Sequence, residues 1–397
     1  MTLRTLPLIV LLVLLASGCG EKITLPQAEG IAVVSDYTDV TPGTLNEQLG
    51  FVTDVEPFGG IFAVSDSAGG RVLLVYDDGR LDTFRDPVEG LRGPIALETD
   101  MQRSLLLVVE DTGAGYEISA IDTRLEVQGT VPLTAEVQSV GDIASDGEHL
   151  YVSDPVARTV HRYAFDSGAG FTGLTYAGTV VAEDPEQFDQ FSPQVVSIPA
   201  GMTVDDAGML VVCDADTTRN WVLRYDPLPP SGVATDRGQS VIFGPTREEL
   251  AEGVDAFDQS VRCGDVFSIE ASTLGKAPPC NPPADFDADP SDADGEFHRP
   301  SGVATDGDGN LYVADRMNGR IQRFTPEGEF DAEFGPGLAT GDDELQQPVR
   351  LATWDGFAIT PAATIDIPGA RVFVVDAANG RLRIYEDSRW TPFRNQG

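Results

Sequence analysis

The chain has 397 residues, of which 64 are Asp or Glu and 26 are Lys or Arg, for a net charge of −38. That balance excludes nucleic acid as a main partner, because such binding needs a basic footprint that displaces counterions. Hydrophobic residues make up 41% of the chain, too many for a disordered polymer, and the acidic excess is spread along the sequence as a solvated surface would be.

Residues 1–18 read as a signal peptide. Arg4 supplies a thin positive start, and Leu6 to Ala16 is an apolar run broken only by Pro7, too short to span a bilayer as a helix. The run ends Leu15-Ala16-Ser17-Gly18-Cys19. Small residues before a cysteine resemble the bacterial lipobox, which implies cleavage before Cys19, lipidation of its thiol and a membrane anchor. Gly20 follows instead of Asp, so the inner-membrane retention signal is missing and the resemblance points to the outer membrane or cell surface. Residues 19–29 read as a tether and 30–397 as the folded domain.

A short alternating strand that ends in Asp recurs along that domain. The copies are IFAVSD ending at Asp66, LLLVVED at Asp111, LYVSD at Asp154, LVVCD at Asp214, LYVAD at Asp315 and VFVVD at Asp376, and each is followed by another strand-like run. A short four-stranded unit cannot bury its own faces, so six copies predict an all-β, six-bladed propeller closed into one domain. Seven blades is the alternative, because Gly30 to Tyr37 ends much like another copy. The preferred use of that segment is to close the ring against the last blade, with Trp390 to Phe393 beside it.

The clearest unit is Phe297 to Gly335, with strands over Gly302–Asp306, Leu311–Asp315, Arg320–Phe324 and Glu329–Phe334 separated by Gly, Asn and Pro turns. Its P-x-G-V-A-x-D, then G-N-L-Y-V-A-D, then N-G-R-I-Q-R-F resembles the NHL repeat of β-propellers. The resemblance implies the fold and leaves the reaction open. An Asp-x4-Arg pattern follows most copies, as in Asp66 with Arg71, Asp214 with Arg219, Asp315 with Arg320 and Asp376 with Arg381. A pair repeated in most blades points to a structural role, a carboxylate and a guanidinium closing one tight loop.

Residues 245–293 read as an insertion between the fourth and fifth blades. Thr246 to Glu249 has capping-box spacing for a short helix. Cys263 and Cys280 read as a disulfide in an exported protein, and Cys213 as a buried thiol within a strand. At the end of the insertion Asp285, Asp287, Asp289 and Glu296 stand at positions one, three, five and twelve of a calcium loop, although Pro290 occupies the place of the turn glycine. A solvated acidic linker is the competing reading.

Some NHL propellers are enzymes, and the amidating lyases of the family hold zinc with axial histidines. His149, His161 and His298 are the three histidines here, and their places in the repeat do not converge on one metal. Aligned on the Asp that ends each inner strand, the position of Gly302 is taken by Ala96, Asp142, Gly201 and Arg350. Asp142 and Arg350, with Arg299 close by, are therefore the polar residues expected at the central mouth, either touching a ligand or sealing the channel as an ion pair. The expected function is that of an envelope-anchored, monomeric binding or scaffold module for a protein, peptide or glycan, with calcium as the candidate ion. The alternative is a metal-dependent lyase or hydrolase with axial carboxylate ligands.

Overall fold

The computed structural model describes residues 37–166, 171, 173–182, 196–205, 208–216, 220–225, 239–243, 260–262, 294–326, 330–335, 345, 347–354 and 371–387. Within them six antiparallel sheets are arranged as the blades of a propeller, almost without helix. The six inner strands are Val52–Phe58, Pro94–Asp100, Ile143–Ser145, Pro199–Val204, Pro300–Thr305 and Pro348–Trp354, which meet in turn around an axis, the sixth returning to the first.

The second strands are the Asp-ending repeats: Ile61–Asp66, Leu105–Asp111, His149–Asp154, Leu210–Asp214, Leu311–Asp315 and Arg371–Asp376. Their hydrophobic residues are buried on both faces because each sheet is sandwiched between two neighbours. This explains why the copies read as near-continuous Leu/Val/Ile runs. Side chains from adjacent blades interlock: Phe62 of the first blade stacks on Phe373 of the sixth with centroids 3.7 Å apart. Each such fully buried side chain contributes roughly 1.5–3 kcal/mol.

The ring is closed by the N-terminal part of the chain. Tyr37–Asp39 is the outer strand of the sixth blade and pairs antiparallel with Arg381–Asp387, Tyr37 opposite Asp387 and Asp39 opposite Tyr385. Tyr37 is 1% exposed, its ring stacks on Phe334 of the fifth blade at 4.1 Å, and its hydroxyl meets that of Tyr312 at 3.1 Å. Arg383 adds an ion pair to Asp39 at 2.7 Å. The closing strand therefore lies at the end of the predicted Gly30–Tyr37 segment; the rest of that segment and Trp390–Phe393 lie outside the described residues.

The fourth blade carries a fifth strand, Ser260–Arg262, paired with Gln239–Phe243, so a segment within the predicted insertion extends a sheet. The Asp-x4-Arg reading holds in the first and fifth blades: Arg71 donates to Asp66 at 2.9 Å and Arg320 to Asp315 at 2.8 Å. The same carboxylates also accept from the linker that enters the blade. Gly50 and Phe51 N–H donate to Asp66, Ser197 and Ile198 to Asp214, His298 to Asp315 and Gln347 to Asp376.

One position needs correction. In the second blade Glu110 is the buried acceptor, taking Arg92 N–H at 2.7 Å, while Asp111 is exposed. Strand register explains it: Glu110 pairs with Pro94 as Asp315 pairs with Pro300 and Asp376 with Pro348, so Glu110 holds the anchoring position and Asp111 lies one residue beyond it.

Candidate functional site

Inner strands present the edge of each blade to the axis, so one residue per blade faces its neighbours across the channel. Strand register sets this ring. Asp54 pairs with Ser65, Ala96 with Val109, Gly302 with Ala314 and Arg350 with Val375, each just after a bulge; Asp142 faces Ser153, and Gly201 occupies the same place in the fourth blade. A Cβ on Gly302 would come within 2.5 Å of the Val349 carbonyl oxygen, and one on Gly201 within 2.4 Å of that of Ser301. Glycine therefore lets the fourth, fifth and sixth blades close tightly.

Arg350 crosses the ring. Its Nε lies 3.3 Å from Asp142 Oδ1 and 3.8 Å from Asp54 Oδ1, and its Nη1 donates to the carbonyl oxygens of Ser301 and Val349. Asp54 accepts from Val55 and Leu97 N–H, and Asp142 from Ile143 and Met202 N–H. Each carboxylate thus ties its own blade to the next. The structure brings Asp142 and Arg350 together, as the register suggested, in the form of an ion pair across the channel.

Arg299 does not join them. It is exposed on the face of the interblade linkers, with φ of 56° and its N–H held by Asn220 Oδ1 at 2.8 Å.

On the side of the hairpins that join first and second strands, the ring floors a chamber of about 580 Å³. Glu56 and Glu98, from the first and second inner strands, line it half-buried above Asp54, Asp142 and Arg350, and Met101 and Gly59–Gly60 form part of its rim. Ser145 N–H donates to Glu98 Oε1 at 2.9 Å.

Low dielectric and crowding of like charges both favour the protonated acids. Burial, then repulsion from Asp142, pushes Asp54 up to about 7 against the pull of Arg350. Burial, then Asp54 and Asp142, raises Glu56 well above its ordinary range. Burial, then Glu56 and Asp142, does the same to Glu98. Burial also raises Asp142, opposed by Arg350.

Asp54 escaped the sequence reading for a local reason. The anchor was the Asp that ends an inner strand, and in the structure it caps the following hairpin: Asp100 takes Arg103 N–H, Asp146 takes His149 N–H, Asp205 takes Met209 N–H and Asp306 takes Asn310 N–H. The first blade turns instead on Gly59 and Gly60, both at positive φ, and needs no such Asp. Counting four residues past Asp142 and Ala96 reaches a capping Asp; the same count from Asp54 reaches Phe58.

The remaining candidates fall as follows. His149 opens the second strand of the third blade. His161 is buried against Asp154 and Tyr176. Among the described residues no three His, Cys, Asp or Glu side chains converge as metal ligands. Cys213 is a buried free thiol whose pKa is driven up by burial. Cys19, Cys263, Cys280, Asp285, Asp287 and Asp289 lie outside the described residues. Glu296 is described, and its carbonyl oxygen accepts from Arg320 and Gln322.

Residues 297–324 match the model of the NHL repeat family. The chain is 33% identical over 179 residues to the pentonolactonase XacC of Haloferax volcanii, a match covering 44% of this chain and 57% of that protein. It is 42% identical over 59 residues to the protein brain tumor of Drosophila melanogaster, covering 15% and 6% respectively. The chain therefore spans less than two thirds of either relative. A crystal structure of a protein of unknown function from Bacteroides thetaiotaomicron superposes with a TM-score of 0.51 at 12% identity, covering 85% of this chain and 70% of that one, a likeness of fold alone. The chain is a six-bladed β-propeller whose fifth blade carries a match to the NHL repeat.

Proposed function

We propose that the hairpin-face chamber is the active site of a hydrolase that opens small, hydroxyl-rich lactones. The observation that carries this reading is that Glu56 and Glu98 line the same chamber with both affinities for a proton raised, Glu98 by burial and then by the Glu56 charge, and Glu56 by burial and then by Asp54 and Asp142. Its volume suits a small molecule. Carboxyl groups that keep a proton near neutrality both donate to and accept from sugar hydroxyls. The partial match to a pentonolactonase supports the reaction class.

Two carboxyls that share one proton suffice for the chemistry. The ionised member takes a proton from water as the water oxygen bonds to the lactone carbonyl carbon. The protonated member gives its proton to the ring oxygen as the carbon–oxygen bond breaks, leaving a hydroxy acid. The axial carboxylates do not suit a metal. All four oxygens of Asp54 and Asp142 accept backbone N–H groups, and a guanidinium stands between the two side chains.

Purified full chain is assayed on five-membered aldonolactones and on γ-butyrolactone, with and without chelator. Saturable hydrolysis of the hydroxylated lactones, at least about tenfold faster than γ-butyrolactone and indifferent to chelator, is expected. Folded protein that opens no lactone would sink the reading.

A second reading, a binding or scaffold module for an envelope protein, peptide or glycan, is favoured by the separate cavity on the linker face. Under either reading we place the chain at the bacterial envelope through a lipidated Cys19, on the strength of the apolar run that precedes it. Palmitate labelling of cells should disappear in Cys19→Ala; labelling that persists there removes the anchor.

A further inference from the structure

The opposite mouth of the axis has the opposite polarity. On the linker face a cavity of about 360 Å³ is lined by Arg316 and Arg350, with Ile95, Ile198 and Val349 among its apolar walls. Arg316 lies in the short turn Arg316–Asn318 after the fifth blade's second strand. Met317 N–H bonds to the His298 carbonyl at 3.0 Å, which brings the linker carrying Arg299 alongside that turn.

Among the described residues neither Arg299 nor Arg316 pairs with a carboxylate. Arg316 donates from Nη2 to Gln347 Oε1 at 3.1 Å, while its Nε and that of Arg350 are buried without a hydrogen-bond acceptor. Burial, then the charges of Arg299 and Arg350, works against the Arg316 cation. In a chain with a net charge of −38, setting Arg316 and Arg299 together without a carboxylate, next to an Arg350 already committed to Asp142, is costly unless an anion visits.

We propose that the linker-face cavity is a binding site for an organic carboxylate, its head group taken by Arg316 and Arg299 and its apolar body laid against Ile95, Ile198 and Val349. Guanidiniums pair with carboxylates through directed, charge-assisted hydrogen bonds. The apolar walls select against a bare inorganic anion, which would lose hydration there without return. This site is separate from the chamber that holds Glu56 and Glu98, with Arg350 lining both cavities.

The test is calorimetric titration of the full chain with hexanoate, hexan-1-ol and sulfate at low ionic strength. Hexanoate should bind saturably, with hexan-1-ol and sulfate each at least about tenfold weaker. Arg316→Gln should weaken hexanoate at least about tenfold and Arg299→Gln by a smaller measurable factor, while Glu98→Gln leaves it unchanged. The proposal is overturned if hexanoate does not bind, if sulfate binds equally well, or if Glu98→Gln abolishes binding. It is also overturned if Arg316→Gln with a wild-type melting temperature binds as wild type does. Should that variant not fold, unchanged affinity in Arg299→Gln is decisive.

Discussion

Arg350 of the sixth blade lies 3.3 Å from Asp142 of the third, so a single ion pair spans the propeller axis. Asp54 stands 3.8 Å from the same Nε, which leaves one cation holding two buried carboxylates. Removing the cation should therefore cost more than the pair itself contributes. Arg350→Met is expected to destabilise the fold by about 3 kcal/mol, and the double change Arg350→Met with Asp142→Asn to recover most of that loss. Urea unfolding of the two singles and the double at pH 8 measures the coupling. Additive losses would mean that the two groups do not interact.

The raised carboxyl groups give stability a definite pH dependence. Asp54 goes from an ordinary 3.8 to about 7 on folding, so between those values the folded chain holds the proton more tightly than the unfolded one. Stability from this group is present below 3.8 and declines as pH rises through about 7. Glu56 and Glu98, both raised, act in the same direction. Melting temperature should fall from pH 5 to pH 8, and Asp54→Asn should flatten the decline. An equally steep decline in the variant would show that the proton is held elsewhere.

Asp154 behaves oppositely. Burial alone would raise it, but hydrogen bonds from His161, Ala157, Gln138 and Ser139 outweigh that and hold it at about 2. Its contribution is present above the unfolded value and is lost only as pH falls through about 2. Asp154→Ala should cost about 3 kcal/mol at pH 7, since the buried His161 and several part-buried backbone N–H groups lose their acceptor. A loss under about 1 kcal/mol in chemical denaturation would mean that those donors find water instead.

The second blade offers a comparison between neighbours. Glu110 anchors the linker and also accepts from Ser119, whereas Asp111 is exposed and caps only the local turn at Gly113. Glu110→Ala should cost about 2 kcal/mol and Asp111→Ala no more than about 0.5 kcal/mol. The reverse order would restore the register that the sequence alone suggested.

Those two residues show where legibility stops. Blade number and strand identity were readable because sheets packed on both faces force continuous Leu/Val/Ile runs, and turns force Gly, Asn and Asp between them. Asp142 and Arg350 were readable because an alignment on hairpin-capping Asp residues reaches them, or nearly so. Asp54 was not, since the Gly59–Gly60 hairpin dispenses with the capping Asp. Glu56 and Glu98 were hidden differently. Alternation says that a strand residue leaves the sheet on one face; only closure of the ring turns that face towards a shared chamber. Arg316 sat in a loop with no repeat to mark it, and its proximity to Arg299 depends on one linker hydrogen bond.

The chamber reading rests on Glu56 and Glu98 acting as a pair, and steady-state hydrolysis of the best aldonolactone by wild type, Glu56→Gln and Glu98→Gln tests it most directly. Each amide keeps the shape of the side chain but cannot exchange a proton. Each variant should fold with a melting temperature at or above that of wild type at pH 8 and lose about a hundredfold or more in kcat. The wild-type acid limb should lie well above the ordinary glutamate range. Folded Glu56→Gln and Glu98→Gln proteins that turn over the lactone at the wild-type rate would contradict this assignment and move the chemistry out of the chamber.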